Sequence, residues 1–232
     1  MSITVYDLAG KDDRRFSPYC WRARLALAHK GLEAEFRAWH FTEKDKIAFT
    51  GQGRVPVMVD GDNTVFDSWA IACYLEDRYP DRPSLFGGAA ARTLARFINH
   101  FVDGVAHMGM IRMVVADIHD HLVAADQPYF RKTREERFGA TLEEVQKGRE
   151  GQLAAWRASL EPVRAQLREF PYVAGEKPAY ADYIVFGMFC WARGISPFRL
   201  LAADDPLYAW RERMMTLHGG LAARLPGYPV AA

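Results

Sequence analysis

Apolar and polar positions change their period twice along the chain. Ile3 to Tyr6 alternate as a short strand, a polar loop follows, and Pro18 stands where a first helical residue is favoured. From there "WRARLALAHK" runs to Gly31, a helix stop. "EAEFRAWHF" alternates again, and "VPVMVDGDNTVF" holds two short strands about an Asp60-Gly61 turn. Ser68 is placed to cap "WAIACYLEDRY", whose Trp69, Ala72, Cys73, Leu75 and Tyr79 form one apolar side before Pro80. The predicted order is βαβ followed by ββα. "DRPSLFGG", residues 81–88, reads as a linker, and beyond it the strand signals cease. Residues 91–218 keep helical spacing: Thr141 and Glu144 make a capping-box pattern, and Leu153, Trp156, Leu160, Val163 and Leu167 step by three and four. Pro162 is predicted to break that run. The fold class is therefore an α/β N-terminal domain, residues 1–86, followed by an all-α helical C-terminal domain, residues 87–232.

Charge narrows the partners. Across 232 residues, 30 Lys+Arg stand against 29 Asp+Glu, a net charge of +1, so no overall field recruits nucleic acid or an acidic membrane. A small molecule or another protein is the expected partner. Cys20, Cys73 and Cys190 are odd in number and far apart, which suits a reducing compartment better than a disulfide framework. "MSITVYDLAGKDDRRF" has no basic start followed by an apolar run, and no apolar stretch approaches membrane-spanning length. The expected location is cytoplasmic.

Candidate chemistry gathers at Ser17-Pro18-Tyr19-Cys20. A dithiol reductase would carry cysteine at both ends of such a stretch, the first thiolate attacking a disulfide and the second resolving the intermediate. Serine cannot do this. At the start of a helix Ser17 is, by itself, a plain N-cap. In a binding site, however, its hydroxyl is able to donate to the thiolate of a bound ligand. Ionising a free thiol of pKa ~8.5 at neutral pH requires a fall of about two units, or roughly 2.7 kcal/mol. A hydrogen bond to a charged group supplies ~1.5–3 kcal/mol, and a helix N-terminus ~0.3–1 kcal/mol. The two suffice without a general base. Cys20, on the first turn, is read as packed and inert.

With Val55-Pro56 and Asp67-Ser68 added, the first domain resembles the thioredoxin-like glutathione-binding domain of the glutathione transferases, and the linker and helical half match that family's plan. The resemblance implies that Ser17 stabilises the glutathione thiolate, as in serine-type classes. It implies that the Val55 backbone pairs with the cysteinyl part of glutathione and that Pro56 is a cis-proline. It implies that Asp67 and Ser68 receive the γ-glutamyl end. Arg54 is divided between pairing with the glycyl carboxylate and being an exposed loop charge. "SPYCWRARLALAHKGL", "TLEEVQKGRE" and "GEKPAYADY" resemble the bacterial β-etherases that use glutathione to cleave aryl ethers, and their fungal relatives. One departure is Ala179, which stands where the family usually caps the helix near Asp182; its absence costs ~1 kcal/mol unless another group substitutes.

The acceptor pocket is expected between Ser17 and the first helices of the second domain. Helical spacing puts Phe97, His100, Gly104, His107 and Ile111 on one face with Met108 alongside; Tyr19, Trp39 and Trp191 are further candidates. Core packing is the competing reading for such a stripe. His100 and His107 with Asp103 make an incomplete metal set, and "GQGRVP" fits neither nucleotide fingerprint, so no metal or nucleotide is expected. "KTREER" reads as a solvated helix face. The functional expectation is a homodimeric glutathione transferase acting on an aromatic electrophile, with β-aryl ether cleavage as its most specific version. A glutathione-dependent isomerase and a non-catalytic binder of aromatic ligands remain as alternatives.

Overall fold

The computed structural model describes residues 3–229. Its first part contains β1 (Ile3–Leu8), α1 (Pro18–His29), β2 (Ala34–Trp39), β3 (Val57–Asp60), β4 (Asn63–Phe66) and α2 (Ser68–Arg78). The strands order as β2-β1-β3-β4, with β1 parallel to β2 and antiparallel to β3, and β3 antiparallel to β4. This is the thioredoxin-like arrangement expected from the βαβ and ββα patterns. Its tight hairpin pairs Asp60 with Asn63, so Gly61-Asp62 forms the loop, one residue beyond the predicted turn. A 3-10 stretch, Lys44–Thr50, lies between β2 and β3 and carries no periodic signal in the sequence.

Nearly the whole surface of α1 is buried, including Arg22 and Arg24. A helix enclosed on every side tolerates guanidinium groups only when they are paired. Arg24 donates to the buried Asp7 on β1, and Arg22 reaches Asp103 at 2.8 Å. α2 corrects an expectation: Asp67, not Ser68, is the N-cap, its Oδ1 accepting from the Trp69 and Ala70 amides at 2.9 and 3.1 Å. Ser68 is the first residue of the helix. The irregular residues 79–88 are pinned, because Leu85 is fully buried and its carbonyl accepts from the Tyr180 amide at 2.8 Å.

The remaining helices are α3 (Ala89–Phe101), α4 (His107–Asp120), α5 (Gln127–Phe138), α6 (Leu142–Gln146), α7 (Arg149–Ser159), α8 (Glu161–Glu169), α9 (Tyr180–Ile195) and α10 (Pro206–Arg224). Thr141 and Glu144 form the capping box at α6, and the chain breaks between α7 and α8 just before Pro162. At α9 the missing cap is replaced from within the helix. Asp182 Oδ2 accepts from the amides of Ala179 and Ala174, and Oδ1 accepts from the Val173 amide and Trp210 Nε1. Burial pushes this carboxyl above the usual range, and the four donors oppose that shift.

α3 and α4 are one rod joined by a wider π-type turn, Val102–Ala106. Such a turn inserts one residue and rotates the downstream helix by roughly 100° relative to an unbroken α-helix. The predicted single stripe is therefore split. Phe97, His100 and Gly104 are exposed, whereas His107 and Ile111 are buried.

Candidate active site

Ser17 ends the loop between β1 and α1 and caps the helix, as the sequence predicts. Its side chain is 5% exposed, Oγ accepts from the Cys20 amide at 3.2 Å, and its carbonyl accepts from the Trp21 amide at 3.0 Å. Pro18 has no N–H, so the Tyr19 amide is the first-turn donor left without a partner among the described residues. The Ser17 hydroxyl likewise donates to no oxygen or nitrogen among them. Cys20 sits beside it, fully enclosed. Burial pushes the Cys20 thiol well up and the buried Asp7 pushes the same way, outweighing Ser17, so this sulfur stays protonated.

Two glycines of α9 seat this first turn. A Cβ on Gly187 would stand 2.6 Å from the Pro18 carbonyl oxygen, and one on Gly194 would stand 2.9 Å from the Phe16 Cβ. The helix reaches the Ser17 loop this closely only because both positions lack a side chain. Arg14 Nη1 donates to the Gly194 carbonyl at 2.9 Å, and Trp21 Nε1 donates to the Arg15 carbonyl at 2.7 Å, fixing the loop from either side.

Ser17 opens into a cavity of about 510 Å³. Of the residues assigned to glutathione, Arg54 and Val55 line it; Pro56, Asp67 and Ser68 stand outside its walls. The Val55-Pro56 peptide is cis. Asp67 lies close enough for its charge to act on the Tyr19 phenol. Of the acceptor candidates, Tyr19, Trp39, His107, Met108, Ile111 and Trp191 line the cavity, and His100 and Gly104 do not. The π-type turn is the reason: it leaves those two on the solvent side of the rod.

His107 packs edge-on against both Tyr19 and Trp191, with ring centroids 5.6 and 5.5 Å apart. Its Nδ1 is 3.4 Å from Asp103 Oδ1, while Nε2 is buried without a partner among the described residues. Burial, and then the nearby Arg22 charge, hold this imidazole well below its ordinary pKa, so it is neutral. The Tyr19 phenol is pushed up by burial first and Asp103 second, against Arg22 and Arg137. It remains a donor.

Sequence reasoning missed the charged wall. Lys44, Arg134 and Arg137 also line the cavity, with Phe41 and Tyr129 between them. The segment "KTREER" is thus not a uniformly solvated face. Phe130, Arg134 and Arg137 step by four and three toward the cavity, while Arg131 and Glu135 pair at 2.8 Å. The signal was present in that spacing, since residues three and four apart share a helix face.

Residues 16–78 match the family model for the glutathione S-transferase N-terminal domain, and residues 93–226 match that for the C-terminal domain. Glutathione S-transferase 1 of Dianthus caryophyllus is 26% identical over 204 residues, covering 78% of this chain and 90% of that protein. A glutathione transferase structure from Phanerochaete chrysosporium superposes with a TM-score of 0.77 at 26% identity, covering 97% of this chain and 95% of that one. A Ceriporiopsis subvermispora glutathione S-transferase solved in complex with glutathione also reaches 0.77, at 23% identity over 97% and 94% of the two chains, a likeness of fold. Since the C-terminal match alone spans more than half of the residues and the N-terminal match contains the sheet's hairpin and the Ser17 helix, the chain belongs to the glutathione S-transferase family.

Proposed function

We propose that the chain is a serine-type glutathione transferase acting on an aromatic electrophile, with residues 1–86 holding glutathione and residues 87–232 the acceptor. The observation that carries this reading is the state of Ser17. Its oxygen accepts from the Cys20 amide, and its O–H, whose sulfur neighbour is the protonated Cys20 thiol, is free to turn to a ligand sulfur. The free Tyr19 amide and the N-terminal end of α1 add positive potential at the same point. Glutathione would supply the sulfur, its cysteinyl part along the Val55 backbone, its γ-glutamyl end toward Asp67 and Ser68, and its glycyl carboxylate toward Arg54.

The chemistry then needs no general base in the acceptor pocket. The glutathione thiol loses its proton to solvent, and the thiolate rests on the Ser17 hydroxyl until an electrophilic carbon reaches it. A carbon–sulfur bond forms as the bond to the leaving group breaks. In the β-aryl ether version, the aryloxy oxygen departs with the electron pair as phenolate. The aromatic lining of Trp39, Trp191 and Tyr19 suits such a ring. We place the enzyme in the cytoplasm as a homodimer.

Ultraviolet titration of the bound thiolate tests the reading. In the intact protein the glutathione thiol should titrate about two units below its free value of ~8.5, and Ser17→Ala should return it by at least one unit. Glutathione that binds with an unshifted thiol in both proteins would refute it.

A further inference from the structure

The cavity wall facing Ser17 carries guanidinium groups that the protein does not neutralise. Arg134 and Arg137 lie on α5, and among the described residues neither forms an ion pair, although Arg131 on the same helix has both Glu135 and Glu143. The Arg134 guanidinium rests 4.8 Å from the Phe130 ring centroid and 5.5 Å from that of Phe41. Arg137 Nη2 donates to the Met108 sulfur at 3.5 Å, and the guanidinium lies 5.7 Å from the Phe138 ring centroid. Across from them, Lys44 Nζ donates to the Gly53 carbonyl at 2.7 Å and lies 4.7 Å from the Trp39 ring centroid.

Carboxylates near this wall are already engaged. Asp103 is bound by Arg22, and the fully buried Asp126 accepts from the Phe41 and Thr42 amides and from Thr42 Oγ1. The cations also feel one another. Burial lowers the Arg134 pKa, Tyr129 opposes that shift and Arg137 adds to it, while Lys44 is lowered by burial and then by Arg134, against Asp126. Arg137 also acts on the Tyr19 phenol, beside Ser17. Mutually repelling cations, with Arg134 and Lys44 half-buried on aromatic faces and Arg137 exposed beside them, form a receptor for a flat anion, because an oxyanion relieves the repulsion and guanidinium binds it in a planar fork.

We propose that the acceptor is an aromatic acid whose ring lies against the packed Phe41 and Tyr129 rings, 6.2 Å apart at their centroids, and whose carboxylate is held by Arg134 and Arg137. The proposal rests on the transferase reading of the cavity, with Lys44 and Arg54 left to the glycyl carboxylate of glutathione. It also removes a difficulty for an anionic acceptor, which a bare thiolate would repel.

Binding and turnover are measured with matched pairs. Quenching of tryptophan fluorescence follows the inert 3,5-dinitrobenzoate and its neutral amide, with and without glutathione. The acid should bind at least about tenfold more tightly, the equivalent of 1.4 kcal/mol. Arg134→Gln combined with Arg137→Gln should abolish that preference while changing glutathione affinity less than about threefold, since well-separated sites act additively. Turnover should show the same preference: 4-chloro-3,5-dinitrobenzoate should exceed 4-chloro-3,5-dinitrobenzamide in kcat/KM, with chloride leaving as the carbon–sulfur bond forms. Equal binding of acid and amide overturns the proposal, as does a preference that survives in the double variant. A preference lost instead in Lys44→Gln or Arg54→Gln, with the acid competing against glutathione, places the anion in the glutathione site and also overturns it. If glutathione fails to bind, the transferase reading falls, and the acid-to-amide ratio measured without it still decides whether Arg134 and Arg137 form an anion site.

Discussion

Arg22 and Asp103 allow the sharpest test of how the two halves are joined. The Arg22 side chain is fully buried on α1, and Asp103 in the π-type turn is 30% exposed. Arg22 Nη2 donates to Asp103 Oδ1 at 2.8 Å, and Nη1 donates to Asn99 Oδ1 at 3.2 Å. Asp103→Leu leaves the guanidinium enclosed with Asn99 as its remaining strong acceptor. Removing one partner of a buried pair costs about 3–5 kcal/mol. Because Asp103 borders the cavity, water reaches the site and the lower end applies, about 3 kcal/mol. For a chain of this size, that is a fall in Tm of roughly 6–12 °C. Arg22→Met should cost less, because the exposed carboxylate it strands is solvated. The double variant should recover about 2 kcal/mol relative to Asp103→Leu, since apolar replacement of a whole pair is close to neutral. Urea unfolding followed by tryptophan fluorescence measures all four proteins. A double variant no more stable than Asp103→Leu would refute the reasoning, for it would mean that the cost comes from lost packing and not from a stranded charge.

Three further outcomes are expected. Burial holds His29, His107 and His218 below their ordinary pKa, so the unfolded chain takes up protons near pH ~6.5 that the folded chain does not. Stability should be level above that pH and fall below it, His107 contributing a slope of up to about 1.4 kcal/mol per pH unit that disappears in His107→Phe; unchanged stability between pH 7.5 and 5.5, both about a unit from the reference value, would contradict this. Gly187→Ala drives a methyl group against the Pro18 carbonyl, and overpacking of this kind costs ~1–3 kcal/mol; activity should fall because Ser17 moves with α1, and full activity would show that α9 does not set its position. Cys20 and Cys190 are buried with raised pKa values and Cys73 is half-buried, so a thiol reagent should label Cys73 alone in the native protein, with rapid labelling of Cys20 the contrary result.

Legibility in the sequence depended on whether a feature is written in local spacing. The βαβ and ββα units, the capping box at Thr141 and the break at Pro162 all arise from neighbours a few residues apart, and each appears in the fold. Ser17 before Pro18 was legible for the same reason. The failures are contacts across long separations. Nothing near Gly187 announces that its missing side chain admits Pro18, and nothing in "KTREER" states that Arg134 meets the ring of Phe41. The Asp67 cap was missed because serine and aspartate are equally good N-caps and the two stand side by side. The acceptor stripe is split, with His107 and Ile111 lining the cavity and His100 and Gly104 outside it, because a constant 3.6-residue period was carried through Val102–Ala106, where the backbone takes one residue more.

That extra residue separates the two ends of a single rod. α3 begins at the linker and α4 begins at the cavity, so a one-residue deletion within the turn between them would turn α4 like a dial while leaving α3 in place. His107, Met108 and Ile111 would leave the cavity together, and a different set of side chains would enter it without any of them being substituted. In a fold built this way, the lining of the cavity is open to wholesale change by a single codon gained or lost, at a position outside both the Ser17 loop and the sheet.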